Sequence, residues 1–125
     1  MIHGVGTDIV SVARMRSALE RFGDKLARRI LTPDELAEFH RSLLPAHFLA
    51  RRFAAKEAAA KALGTGFRNG LQPRHIGVVH DPSGRPRLEF HGPAQRLGNA
   101  LGIAAGHVSL ADERDHAIAF VTLVK

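Results

Sequence analysis

Between Pro45 and Gly64 the chain reads PAHFLARRFAAKEAAAKALG. Alanine is the strongest helix former, proline suits a helix's first turn, and glycine closes its last. The run therefore predicts the longest helix of the chain, Ala46 to Leu63, stopped at Gly64. Its small side chains permit another backbone or a ligand to approach closely. Phe53, Glu57, Lys61 and the region of Gly64 fall on one row at i, i+4 spacing. Spacing alone leaves two readings of Glu57 and Lys61: an ordinary helix-surface ion pair, or a charged pair at the edge of a groove.

The flanking segments divide by character. Ile2–Val10 is β-prone and punctuated by glycine, with Asp8 near its end. Ser11 caps a helix to about Phe22, with Val12, Met15, Leu19 and Phe22 on one face. After Gly23-Asp24 a short helix covers Lys25–Ile30. Thr32-Pro33-Asp34-Glu35 is a capping box with proline at the first helical position, opening a helix to about Ser42. Past the loop Gly64–Gly70, Ile76–His80 and Arg87–His91 form a hairpin about Asp81-Pro82-Ser83-Gly84. A helix follows over Pro93–Leu101. His107–Ala111 and Ala117–Val124 make a second hairpin around Asp112–Asp115. The class is α+β: an N-terminal strand and helices packed on a mostly antiparallel sheet built from the C-terminal hairpins.

At 125 residues the chain is one domain, 1–125. It has no cysteine, which excludes disulfides, thiol nucleophiles and Cys-bound zinc. Eighteen basic against 12 acidic residues give a net charge of +6, which favours an acidic partner. A nucleic-acid binder is one such reading, but without Trp or Tyr a base-stacking platform for single strands is disfavoured. The N-terminus does not resemble a signal peptide and no stretch is long and apolar enough to span a bilayer. A cytoplasmic protein with no membrane partner is expected.

Asp8 reads equally as a turn or cap residue and as half of a site. If it meets Glu57, two carboxylates create a hard-oxygen position suited to Mg²⁺ with a phosphorylated ligand. Arg51, Arg52 and Lys56 lie near this centre, where phosphates would sit. The eight histidines show no zinc spacing. His107 is singled out because Ser109 follows it on the same strand face, so both can donate to a phosphate oxygen. Arg14 and Arg21 share a helical face, with Lys25 and Arg28 beyond. That row is either a solvated face or, beside Met15 and Phe22, a seat for an acidic amphipathic helix.

Together, Gly6-Thr7-Asp8-Ile9-Val10 with Arg14, Arg52-Phe53-Ala54-Ala55-Lys56-Glu57-Ala58 with Lys61 and Gly64-Thr65-Gly66, and His107-Val108-Ser109-Leu110 resemble the holo-[acyl-carrier-protein] synthases. These are small phosphopantetheinyl transferases of bacterial fatty-acid synthesis, and the likeness covers essentially the whole chain. The resemblance implies transfer of the 4'-phosphopantetheine arm of coenzyme A to a serine of acyl carrier protein, releasing adenosine 3',5'-bisphosphate. It makes Asp8 and Glu57 the Mg²⁺ ligands and Glu57 and Lys61 the catalytic pair. It places Arg52, Lys56, Lys61, Gly64, Gly66, His107 and Ser109 at coenzyme A, and Arg14, Arg21, Phe22 and Arg28 at the carrier protein. It also implies a homotrimer with active sites between subunits. One departure is Ala111-Asp112-Glu113-Arg114, where many members continue with a second histidine.

Overall fold

The computed structural model describes residues 1–125. Strand β1 (Ile2–Ser11) leads into four helices, α1 (Val12–Phe22), α2 (Asp24–Ile30), α3 (Pro33–Arg41) and α4 (Pro45–Leu63). Strands β2 (Ile76–His80) and β3 (Pro86–Phe90), helix α5 (Pro93–Leu101), and strands β4 (Ala105–Asp112) and β5 (His116–Val124) complete the chain. The Ser11 hydroxyl caps α1 by accepting from the Arg14 amide at 3.2 Å. The Thr32–Glu35 box closes in both directions, at 3.2 and 2.9 Å. The α+β class stands, with the expected elements displaced by a residue or two at their ends.

The two hairpins do not share a sheet. All pairing is antiparallel, but β1, β5 and β4 form one three-stranded sheet in that order, while β2 and β3 form a separate pair. The first strand is thus a member of the larger sheet, against β5, rather than a layer upon it.

Helix α4 is the spine. Most of its 19 residues are buried, as befits a helix covered on nearly all sides. Its first half, with Phe48, Leu49 and Ala50, packs under α1, α2 and α3; its second half, with Ala54, Ala58 and Ala62, packs against β5, β2 and α5. Strand β1 crosses it at backbone distance. A Cβ on Gly6 would lie 1.9 Å from the Ala58 carbonyl oxygen, and one on Gly4 2.2 Å from that of Ala62. The alanines of α4 and the glycines of β1 are two halves of one close crossing. Because strand side chains alternate, Asp8 falls on the same helix-facing side as Gly4 and Gly6.

The opposite face of the large sheet is uncovered. Val5, Ile9, Ile118 and Phe120 are all exposed there, with Thr7 and Ser109 flanking Phe120 on neighbouring strands. No helix is long and apolar enough to cross a membrane.

Candidate active site

The close crossing of β1 over α4 brings the two sequence-distant acids together. Lys61 Nζ donates to Asp8 Oδ1 at 3.0 Å and to the Thr7 carbonyl at 3.0 Å. Glu57, one turn back on α4, lies close enough for the Asp8 charge to act on it. Burial and then that charge push its carboxyl above the usual range, while Lys61 pulls the other way. Asp8, Glu57 and Lys61 therefore form one constellation, and the groove-edge reading of Glu57 and Lys61 prevails over the isolated surface pair.

Asp8 and Glu57 open into a cleft of about 790 Å³ walled by Arg14, Met15, Arg29 and Phe53. Of the basic row, Arg14 faces this cleft. Exposed Phe22 helps line a smaller hollow of about 250 Å³ with Lys25 and Arg29, and Arg21 lies 5.2 Å over its ring. Arg28 turns instead to Asp24 at 3.2 Å. Arg29 went unnoticed in the sequence; the helical offset between Arg28 and Arg29 is the signal that distinguishes them, once the inner face of α2 (Ala27, Ile30) is known.

Arg52 and Lys56 do not reach this cleft, contrary to their expected place at phosphates. Lys56 is fully buried and donates to Glu35 Oε1 at 2.7 Å and to the Ile76 carbonyl. Arg52 is 4% exposed, stacked 4.6 Å over Phe48 and 3.7 Å from both Glu35 and Glu38. The reason is angular: each residue on a helix is turned about 100° from the last, so Lys56 points to the interior when Glu57 points to the cleft.

Gly64 and Gly66 lie just beyond Lys61 with φ of +91° and +63°. A Cβ at either would meet nothing, so the requirement there is the left-handed turn itself. His107 and Ser109 are not joined to the acids within one chain. His107 lines a different cleft of about 550 Å³, with Arg85 and Arg87 of the β2–β3 hairpin. Asp112, in the departing segment, holds Arg51 at 3.3 Å, and the Arg114 carbonyl accepts from His47 at 3.0 Å; the segment is tied down on α4.

Two carboxylates lining one cleft fit a divalent cation. No third His, Cys, Asp or Glu joins them as a ligand group, leaving the remaining positions to water and ligand oxygens.

Comparison with known proteins establishes the family of the chain. A profile described as the 4'-phosphopantetheinyl transferase superfamily matches residues 4–121. Holo-[acyl-carrier-protein] synthase of Nitrosococcus oceani is 59% identical over 124 residues, covering 99% of this chain and 80% of that protein. The crystal structure of the Neisseria meningitidis synthase superposes with a TM-score of 0.93 at 47% identity, covering all of both chains. The Helicobacter pylori synthase in complex with coenzyme A has a TM-score of 0.84 at 28% identity, covering 96% of this chain and 99% of that one. With sequence motifs, fold and relatives in accord over the whole length, the chain belongs to the 4'-phosphopantetheinyl transferase superfamily, in its holo-[acyl-carrier-protein] synthase family.

Proposed function

We propose that this protein transfers the 4'-phosphopantetheine arm of coenzyme A to a serine of apo acyl carrier protein, in the cytoplasm, as a step of fatty-acid biosynthesis. The observation that carries the reading is the meeting of Asp8, Glu57 and Lys61 at the β1–α4 crossing. A basic nucleic-acid binder has no use for paired acids at the edge of a cleft.

The reaction forms a bond between the serine oxygen and the β-phosphorus of coenzyme A, and breaks that phosphorus's bond to the bridging oxygen. Adenosine 3',5'-bisphosphate leaves. Such transfers depend on positioning and on neutralising charge. Asp8 and Glu57 are the residues that would hold Mg²⁺, whose contribution when bound is to neutralise the pyrophosphate oxygens. Glu57, beside Asp8 at the cleft, is the residue that accepts the serine proton. Lys61, on the same row, stabilises the departing phosphate. Arg14 and Arg29 at the cleft wall, with Arg21 and Phe22 beyond, receive the acidic carrier protein.

His107 and Ser109 contribute through assembly. They share the sheet bearing the exposed apolar face of Val5, Ile9, Ile118 and Phe120. Exposure of that face supports a homotrimer that would bury it, in which one subunit's His107 cleft, with Arg85 and Arg87, supplies donors to phosphates held at a neighbour's acids. Mass spectrometry of apo carrier protein incubated with coenzyme A, Mg²⁺ and this protein tests the reading. The wild type should add the arm, while Asp8→Ala and Glu57→Ala should slow transfer on the order of a hundredfold or more. Wild-type failure, or full turnover in both variants, overturns it.

A further inference from the structure

The ammonium of Lys61 occupies a seat made of oxygens. It is held by Asp8 Oδ1 and the Thr7 carbonyl, both at 3.0 Å, the kind of hard donors that a divalent cation also takes. Asp8 is only 18% exposed at its side chain, whereas Lys61 is 52% exposed at the mouth of the site. The carboxylate is the more buried partner and the lysine the more exposed one. A single carboxylate oxygen cannot serve both cations at full strength, because the ammonium and a divalent ion repel one another.

We infer that Lys61 is the internal counter-ion of Asp8 in the ligand-free enzyme, and that a divalent cation takes its place on Asp8 as coenzyme A is gripped. The inference rests on the assignment of Asp8 and Glu57 as metal ligands. It gives Lys61 a role before chemistry. In the empty site it neutralises Asp8 and weakens binding of a lone metal ion. When a pyrophosphate arrives, the ammonium exchanges its carboxylate for a phosphate oxygen and Asp8 is released to the metal. Metal and coenzyme A then favour one another's binding, and that coupling is reciprocal.

The experiment measures Mn²⁺ binding to the full-length protein by electron paramagnetic resonance of the free ion, with and without coenzyme A. With Mn²⁺ alone, Lys61→Met should bind about fivefold tighter than wild type, the size expected for removing a partly exposed ion pair and its repulsion. Lys61→Arg, which keeps the charge, should stay near wild type. Coenzyme A should tighten Mn²⁺ binding more in wild type than in Lys61→Met. Unchanged or weaker Mn²⁺ binding in Lys61→Met overturns the counter-ion role, provided Asp8→Asn still loses the ion. If Asp8→Asn and Glu57→Gln both bind Mn²⁺ like wild type, the metal-site assignment falls and the inference falls with it.

Discussion

Lys56 and Glu57 are neighbours in the chain, yet they belong to opposite kinds of charge cluster. Lys56 joins Glu35 and Arg52 in the interior, where Glu35 Oε1 accepts from Lys56 and the Thr32 amide and Oε2 accepts from the Val78 amide at 2.9 Å. That cluster ties the first turn of α3, the middle of α4 and the edge of β2 into one unit, though Arg52 Nε finds no hydrogen-bond partner. Burial holds both cations' pKa values below their ordinary levels, against the opposing pull of Glu35. Glu57 joins Asp8 and Lys61 at the edge of a cleft, where like charges face each other and polar capacity is left for a ligand. The inner cluster is nearly closed and the outer one is incomplete. Incompleteness at an accessible position is what separates a site from a strut.

The largest effect expected from this contrast comes from opening the closed cluster. Lys56→Met strands the Glu35 carboxylate in the interior and should cost about 3–5 kcal/mol of stability. Thermal unfolding should fall by on the order of 10 °C. The double variant Glu35→Gln/Lys56→Met removes both charges and should be milder than Lys56→Met alone. At a temperature where Lys56→Met remains folded, its KM for coenzyme A should match wild type. Near-wild-type stability with a raised KM would return Lys56 to the phosphates and erase the distinction.

How much of this contrast could be read in advance depended on whether the information was local. The Thr32–Glu35 box, the Ser11 cap and the Pro45-to-Gly64 helix are set by neighbours within a turn, and each was legible. Asp8 with Glu57 was legible only as a conditional, since convergence of strand and helix is a tertiary fact. Its local trace was the pairing of small residues, Gly4 and Gly6 with Ala58 and Ala62, whose full meaning appears when a Cβ would strike the helix backbone. Lys56 and Arg52 misled because a helix buried on nearly every side gives no polar face from which to judge direction. A buried lysine then looks in sequence like an exposed one. The separate β2–β3 sheet was equally hidden, because hairpin signals do not say which strands lie side by side.

Arg14 offers a finer test on the outer side of the comparison. It lines, from α1, the cleft that holds Asp8 and Glu57 and makes no ion pair, so it is available to an acidic partner. Arg14→Glu should weaken carrier-protein binding about tenfold at low salt, measured by titration calorimetry, with coenzyme A affinity and melting temperature close to wild type. The difference should shrink as salt rises. A large loss of stability would place Arg14 with the struts.

The smallest effect separates the clusters by sign. Glu57 has a higher pKa in the folded protein than in the unfolded chain, from burial first and Asp8 second. The folded state thus binds that proton more tightly. Its contribution to stability is fully present below the unfolded pKa and is lost as pH rises through the raised folded value. Glu57→Gln never carries the charge, so it should melt roughly 1–2 °C above wild type at neutral pH, with the gap closing in acid. Transfer should run oppositely: Glu57→Gln, though more stable, should lose activity at every pH. One carboxyl that lowers stability in the form required for catalysis is the mark of the open cluster. A Glu57→Gln variant less stable than wild type would instead make Glu57 a structural partner of Lys61.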